Sequence, residues 1–213
     1  MSRLRPILLF LPILTISCKP IAYFNTPNDA FRKDCIIYML DGTEKKGKIT
    51  IMLETGHDAD EYIRLLTGNA EEKILIDSIT FYQVNKDHYF PKKIDLDGNG
   101  AESLLFVKRL TKENSRMDMY ELYRQGKQTS DGADLYLYFI SIPGHSRFEV
   151  WSIGGKNFFP NFDEKMSSLV EDCPALAIKI KQGQKGYSLG QFSLSLKKFE
   201  VFKRIVDEYN DCR

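Results

Sequence analysis

From Cys35 to Ile153 apolar and polar residues alternate in short runs, broken by turn dipeptides. That is the period-two signature of strands. Cys35–Leu40 is an apolar run stopped by Asp41-Gly42, and Gly47–Leu53 answers it, which predicts a hairpin. Tyr62–Leu66 and Lys73–Val84 continue the pattern, and Tyr89-Phe90-Pro91 opens a strand that Pro91 places near an edge or bend. Further strands are expected at Ser103–Leu110, Asp118–Arg124, Asp134–Pro143 and Arg147–Ile153. The nearly continuous apolar run through Ile140 predicts a central strand covered on both faces. The crowding of the early strands predicts a small, strongly bent barrel of the SH3 or Sm-like kind, followed by further sheet.

At Asn161 the period lengthens to that of a helix. Met166, Leu169 and Val170 share one face, with Asn161 or Asp163 as cap. Asp172-Cys173-Pro174 restarts the helical pattern, with proline near the first helical position, where its missing N–H costs little. Ser195–Tyr209 is the longest helix, its apolar face carrying Phe199, Phe202, Ile205 and Val206. The expected fold is therefore α+β, with about nine antiparallel strands over residues 34–160 and two or three helices over 161–213.

The first eighteen residues follow a different logic. A basic start, Arg3 and Arg5, precedes an apolar run of eleven residues from Pro6 to Ile16, interrupted only by Thr15, then Ser17-Cys18. A membrane-spanning helix needs roughly 17–25 residues, so the run is too short to span and suits a signal peptide over 1–17. A small residue directly before Cys18 is the pattern of a bacterial lipoprotein, with cleavage there and acyl chains, palmitate among them, on the cysteine; an ordinary secretory signal cut elsewhere is the alternative. Three acyl chains anchor stably where one would bind only marginally. Lys19 in place of aspartate favours the outer membrane over the inner, without deciding between periplasmic and surface sides. Residues 18–33, with Pro20 and Thr26-Pro27-Asn28-Asp29, are expected to form a tether.

Composition narrows the functional classes. The chain has 30 basic and 29 acidic residues; without Arg3 and Arg5 the balance is 28 against 29, a formal charge of −1. No basic excess exists to draw nucleic acid. With Cys18 lipidated, three cysteines remain. Cys173 opens one helix and Cys212 closes the last, so these two are the expected disulfide in an oxidising envelope, with Cys35 a buried free thiol.

Candidate chemistry is sparse. Asp95-Leu-Asp97-Gly-Asn99-Gly100 matches the opening of a calcium loop, with oxygens at positions 1, 3 and 5 and glycine at 6. Position 12 would be Phe106, where the bidentate glutamate is required. A polar turn is the alternative, because Asp-Gly and Asn-Gly favour hairpins. His57, His88 and His145 lie far apart, without metal-ligand spacing, and Ser146 beside His145 lacks the nucleophile-elbow context. Glycine-rich phosphate cradles are absent. Lysines from Lys179 to Lys203 read as the solvated face of amphipathic helices, and aromatics at 148–162 as core. No catalytic residue is assigned.

Three stretches carry a resemblance: Asp41-Gly-Thr-Glu-Lys-Lys-Gly-Lys-Ile49, the strand Met119-Tyr-Glu-Leu-Tyr-Arg124, and the set Asp172-Cys-Pro174, Lys185-Gly-Tyr187 and Tyr209-Asn-Asp-Cys212. They resemble a group of uncharacterised envelope lipoproteins from Bacteroidota. The resemblance implies an envelope location, this fold, and Cys173 and Cys212 held as a pair; it carries no activity. The expectation is a non-catalytic, membrane-anchored binding or accessory subunit, with an outer-membrane protein or surface polymer as partner. The alternative is an envelope hydrolase or carbohydrate-binding protein.

Overall fold

The computed structural model describes residues 25–54, 61–96, 100–126, 132–153, 158, 160–189 and 195–212. The strands are β1 (Asp29–Met39), β2 (Glu44–Met52), β3 (Tyr62–Thr67), β4 (Ala70–Leu75), β5 (Ile79–Val84), β6 (Asp87–Ile94), β7 (Ser103–Arg109), β8 (Asp118–Arg124), β9 (Leu135–Ser141) and β10 (Trp151–Ser152). A single 3₁₀ turn, Ile76–Ser78, joins β4 to β5, and α1 (Phe162–Leu169), α2 (Pro174–Lys181) and α3 (Ser195–Asp211) follow the sheet. All ten strands pair antiparallel in one open sheet of order β10-β9-β8-β7-β6-β5-β1-β2-β3-β4. The class is α+β, as the change of period predicts.

Several finer expectations change. Ten strands replace nine because Lys73–Val84 is two strands. Ile76 is fully buried and Ser78 Oγ donates to the Leu75 carbonyl at 2.6 Å, which breaks the run. The SH3- or Sm-like barrel is not confirmed, since the ladders form one open sheet. Arg147–Ile153 keeps only two strand residues. β9 is covered only toward its second half; Leu135 and Tyr136 at its start are exposed. The expected tether ends early. Residues 26–30 form a turn and the start of β1, and Asn28 and Asp29 are fully buried.

The hairpin glycines have separate jobs. Gly42 sits at φ +83°, where a side chain is strained, and Thr43 N–H closes the turn on Asp41 Oδ1 at 2.9 Å. At Gly47 a Cβ would lie 2.5 Å from the Leu66 carbonyl oxygen across the β2–β3 ladder.

Asn28 binds two distant parts of the sheet. Its Nδ2 donates to the Phe106 carbonyl at 2.9 Å, and Phe106 N–H donates to its Oδ1 at 2.7 Å. The β7–β8 ladder covers only Lys108 and Arg109. The amide of Asn28 therefore stands in for a strand beside Phe106.

Three apolar clusters form the core. The first five strands enclose Ile37, Ile49, Ile63, Leu65, Ile76 and Tyr82, with Phe106. The helices cover Met117, just before β8, and Met119 and Ile140 of β8–β9 with Phe162, Leu176, Phe202 and Ile205. On the opposite sheet face Leu105, Tyr120 and Phe139 form the third. Over that face runs the segment 142–150. Arg147 fastens it by donating to the backbone carbonyls of Asp77, at 2.9 Å, and Ile79, and Lys92 Nζ donates to the Arg147 carbonyl at 2.6 Å.

Cys173 and Cys212 are joined, with Cα atoms 6.2 Å apart. Arg116 reinforces the junction. It donates to the carbonyls of Tyr209 and Cys212, at 3.2 and 2.6 Å, and to Asp172 at 2.5 Å. The last carbonyls of α3 thus gain the partners that a helix end lacks. Asn210 bonds both backbone groups of Met117, at 2.8 and 3.0 Å.

Candidate functional site

Residues directly opposite each other across antiparallel ladders share a sheet face. The registers pair Tyr82 with Tyr89, Tyr89 with Lys108, and Lys108 with Glu121. Glu121 pairs with Tyr138, and Tyr123 with Tyr136. One face thus carries a row of tyrosines, a lysine and a carboxyl across five strands. The helices cover the neighbouring stretch of this face, ending where Phe199 of α3 meets Tyr138 at 4.7 Å between ring centres. The turn at Asn25–Pro27 forms the opposite wall. Between this turn and the β8–β9 hairpin lies a cleft of about 420 Å³, inside the ~300–1,000 Å³ range of small-molecule sites.

The charged groups of the row are tied to one another. Lys108 Nζ lies 2.9 Å from Asp87, whose other oxygen is 3.5 Å from the Tyr89 hydroxyl. Tyr138 donates to Glu121. Desolvation holds the Glu121 carboxyl above the usual range and Asp87 adds to it, against the pull of Lys108 and Tyr138. Burial, with Asp87 beside it, pushes Tyr89 up to about 12. Tyr82 is buried and donates to the Pro27 carbonyl at 2.7 Å. At the outer end Tyr123 bonds Asp134 at 3.2 Å, and its ring lies 5.0 Å from that of Tyr136, which is 49% exposed. The cleft therefore offers neutral phenols, an exposed aromatic surface, one half-buried carboxyl and a paired lysine. Such a set can hold and orient a ligand.

A larger hollow, about 890 Å³, lies between α1 and α2. Two of its polar side chains bond locally. Asp163 Oδ2 accepts from Ser188 at 2.7 Å, and Ser167 donates to the Glu164 carbonyl at 2.9 Å.

Of the residues singled out in the sequence, Cys18 and His57 lie outside the described residues, as do Asp97 and Asn99. Asp95 Oδ2 accepts from Gly100 N–H at 2.9 Å. Phe106, the twelfth position, is buried in the sheet and can supply no side-chain oxygen. Among the described residues no group of three metal-ligating side chains is found. His88 stacks near Phe81 and His145 near Trp151, on separate elements. Cys35 is buried, and burial raises its thiol to about 11. Phe158 and Phe162 are core, as read from the sequence. Lys179 meets Glu208 of α3 at 2.5 Å, so this lysine links two helices. The tyrosine row escaped the sequence reading. Spacing at i and i+2 joins Glu121 to Tyr123, and Tyr136 to Tyr138, but only the register unites the strands.

No family model matches this chain, and neither a curated protein nor a solved structure matches it.

Proposed function

We propose that this is a lipid-anchored bacterial envelope lipoprotein that binds a partner or ligand without catalysis, with the tyrosine cleft as its contact site. The observation that carries the binding role is the cleft itself: an exposed aromatic wall beside titratable groups that are paired with one another. The anchor rests on the pattern ending at Cys18, the outer-membrane preference on Lys19, and the Bacteroidota relationship on the motifs around Gly42, Tyr120 and Cys173. A Cys173–Cys212 bond suits an oxidising compartment. Among the described residues no helix is long and apolar enough to cross a membrane. Palmitate labelling of the full chain tests the anchor, and a Cys18→Ala variant that still takes up label overturns it. Pull-down from detergent-solubilised outer membrane tests the partner, and Tyr136→Ala is expected to reduce recovery.

A second reading, an envelope hydrolase or carbohydrate-binding protein, is favoured by one observation: the raised carboxyl of Glu121, close enough to Asp87 to feel its charge. Release of sugar from a polymer, abolished by Glu121→Gln, would select the hydrolase.

We also read the first five strands as a small bent barrel. Their order, β5-β1-β2-β3-β4, puts β4 and β5 at opposite ends, yet only Ile76–Ser78 joins them. A bulge between Ala30 and Lys33, with Arg32 at φ +50°, supplies a bend. For calcium the supporting feature is Asp95 Oδ1, which is buried without a hydrogen-bond partner among the described residues. A calcium-dependent melting shift lost in Asp95→Ala/Asp97→Ala supports binding with Asn99, and no shift at millimolar calcium removes it.

A further inference from the structure

We infer that the cleft between the Asn25–Pro27 turn and the β8–β9 hairpin takes a short saccharide, its sugar ring laid on Tyr136 and its hydroxyls read by Glu121 and the groups around it. The inference rests on the binding role proposed above and names the ligand class of that site.

Four features select this class. The first is the wall. Tyr136 is half exposed and its ring leans on Tyr123 at 5.0 Å and 35°. Tyr123 is itself fixed by Asp134. A flat, pre-oriented ring with a polar rim suits a ligand with one apolar C–H face and a polar edge. A pyranose has both.

The second is the polar inventory. Glu121 presents carboxyl oxygens, Asn85 a side-chain amide and Lys108 an ammonium group along the lining. Carboxyl, amide and ammonium groups supply the acceptors and donors that neighbouring hydroxyls require.

The third is charge. Lys108 is offset by Asp87 at 2.9 Å, and the lining holds one further lysine, Lys33, and one carboxylate residue, Glu121. Among the described residues the lining carries no arginine, so these residues lack the forked donor that grips phosphate or carboxylate bidentately. A neutral, hydroxyl-rich ligand fits this balance better than an anion.

The fourth is position. Asn25 forms part of the wall, seven residues after Cys18, and seven residues reach at most about 24 Å. An anchored chain would hold the cleft close to the bilayer, within reach of sugars carried on lipids as well as of free ones.

The test begins with the purified full chain on an array of mono- to hexasaccharides, followed by titration calorimetry of the best binder. The expected result is a bound saccharide whose affinity falls at least tenfold in Tyr136→Ala and in Glu121→Gln. Tyr136→Phe, which keeps the ring, should bind within about threefold of the parent. Tyr136 is exposed, so its variants should melt with the parent, which separates lost contact from lost fold. Vesicles displaying the same saccharide on lipid, compared with the free sugar, distinguish the two sources. No saccharide bound by the parent chain, or equal binding by Tyr136→Ala, overturns the inference. Capture of a protein by this face, with no sugar bound, also overturns it but leaves the binding role standing. Failure of Cys18 to take up palmitate removes the anchor and leaves the sugar site untouched.

Discussion

Two asparagine side chains do work that strands usually do. Asn28 pairs with both backbone groups of Phe106, and Asn210 with both of Met117. Each amide satisfies a buried N–H and a carbonyl that the ladders leave open, and an unsatisfied buried group costs ~1–3 kcal/mol. Asn28→Ala should therefore lower stability by about 2–4 kcal/mol, read from the urea midpoint. Neither partnership was legible beforehand. Thr26-Pro27-Asn28-Asp29 does announce a turn, and Thr26 Oγ1 accepts from Asp29 N–H at 3.0 Å as turn chemistry requires. The partner of Asn28 lies 78 positions away, however, and local composition carries no trace of it. Cys35 was readable, because its place in an apolar run implied burial. With its thiol raised to about 11, thiolate is scarce near neutrality. Iodoacetamide should label Cys35 slowly in the native protein and fast in urea; rapid native labelling would show that the strand opens.

At the scale of elements, the seam between α2 and the end of α3 is fixed covalently and by Arg116. The disulfide spans 39 positions, worth about 4 kcal/mol on the chain-entropy estimate. Cys173→Ser/Cys212→Ser should lower the urea midpoint correspondingly, and dithiothreitol should act on the parent alone. Helix positions were legible because long apolar periodicity survives without tertiary help. The strap at 142–150 was not, because its alternation imitates a strand while Arg147 and Lys92 hold it elsewhere. Lys92 gives the strap a pH signature. Burial pulls its ammonium from 10.5 down to about 8. Between those values the unfolded chain holds a proton that the folded chain has released, so this residue's contribution to stability rises with pH. From about pH 7.5 to 9.5 the parent should gain stability relative to Lys92→Met. A gap that does not change with pH would mean that Lys92 is not desolvated.

For the whole molecule, the period change at Asn161 made the α+β division readable, but pattern alone could not fix the open strand order or the row of side chains across five strands. The revised start of the body is testable by truncation. A chain beginning at residue 34 loses Asn28 and the Pro27 carbonyl bonded by Tyr82, and should unfold or aggregate. One beginning at residue 25 should melt with the parent.

The pairing of Asn28 with Phe106 also sets a timetable. An exported chain emerges amino end first, yet residue 28 cannot complete its bonds until residue 106 has crossed. Such long-range closure is slow to form. If the proposed processing at Cys18 outpaces that closure, attachment to the membrane comes before the sheet closes. The protein would fold as a moored chain, its first turn locking late against a strand made much later.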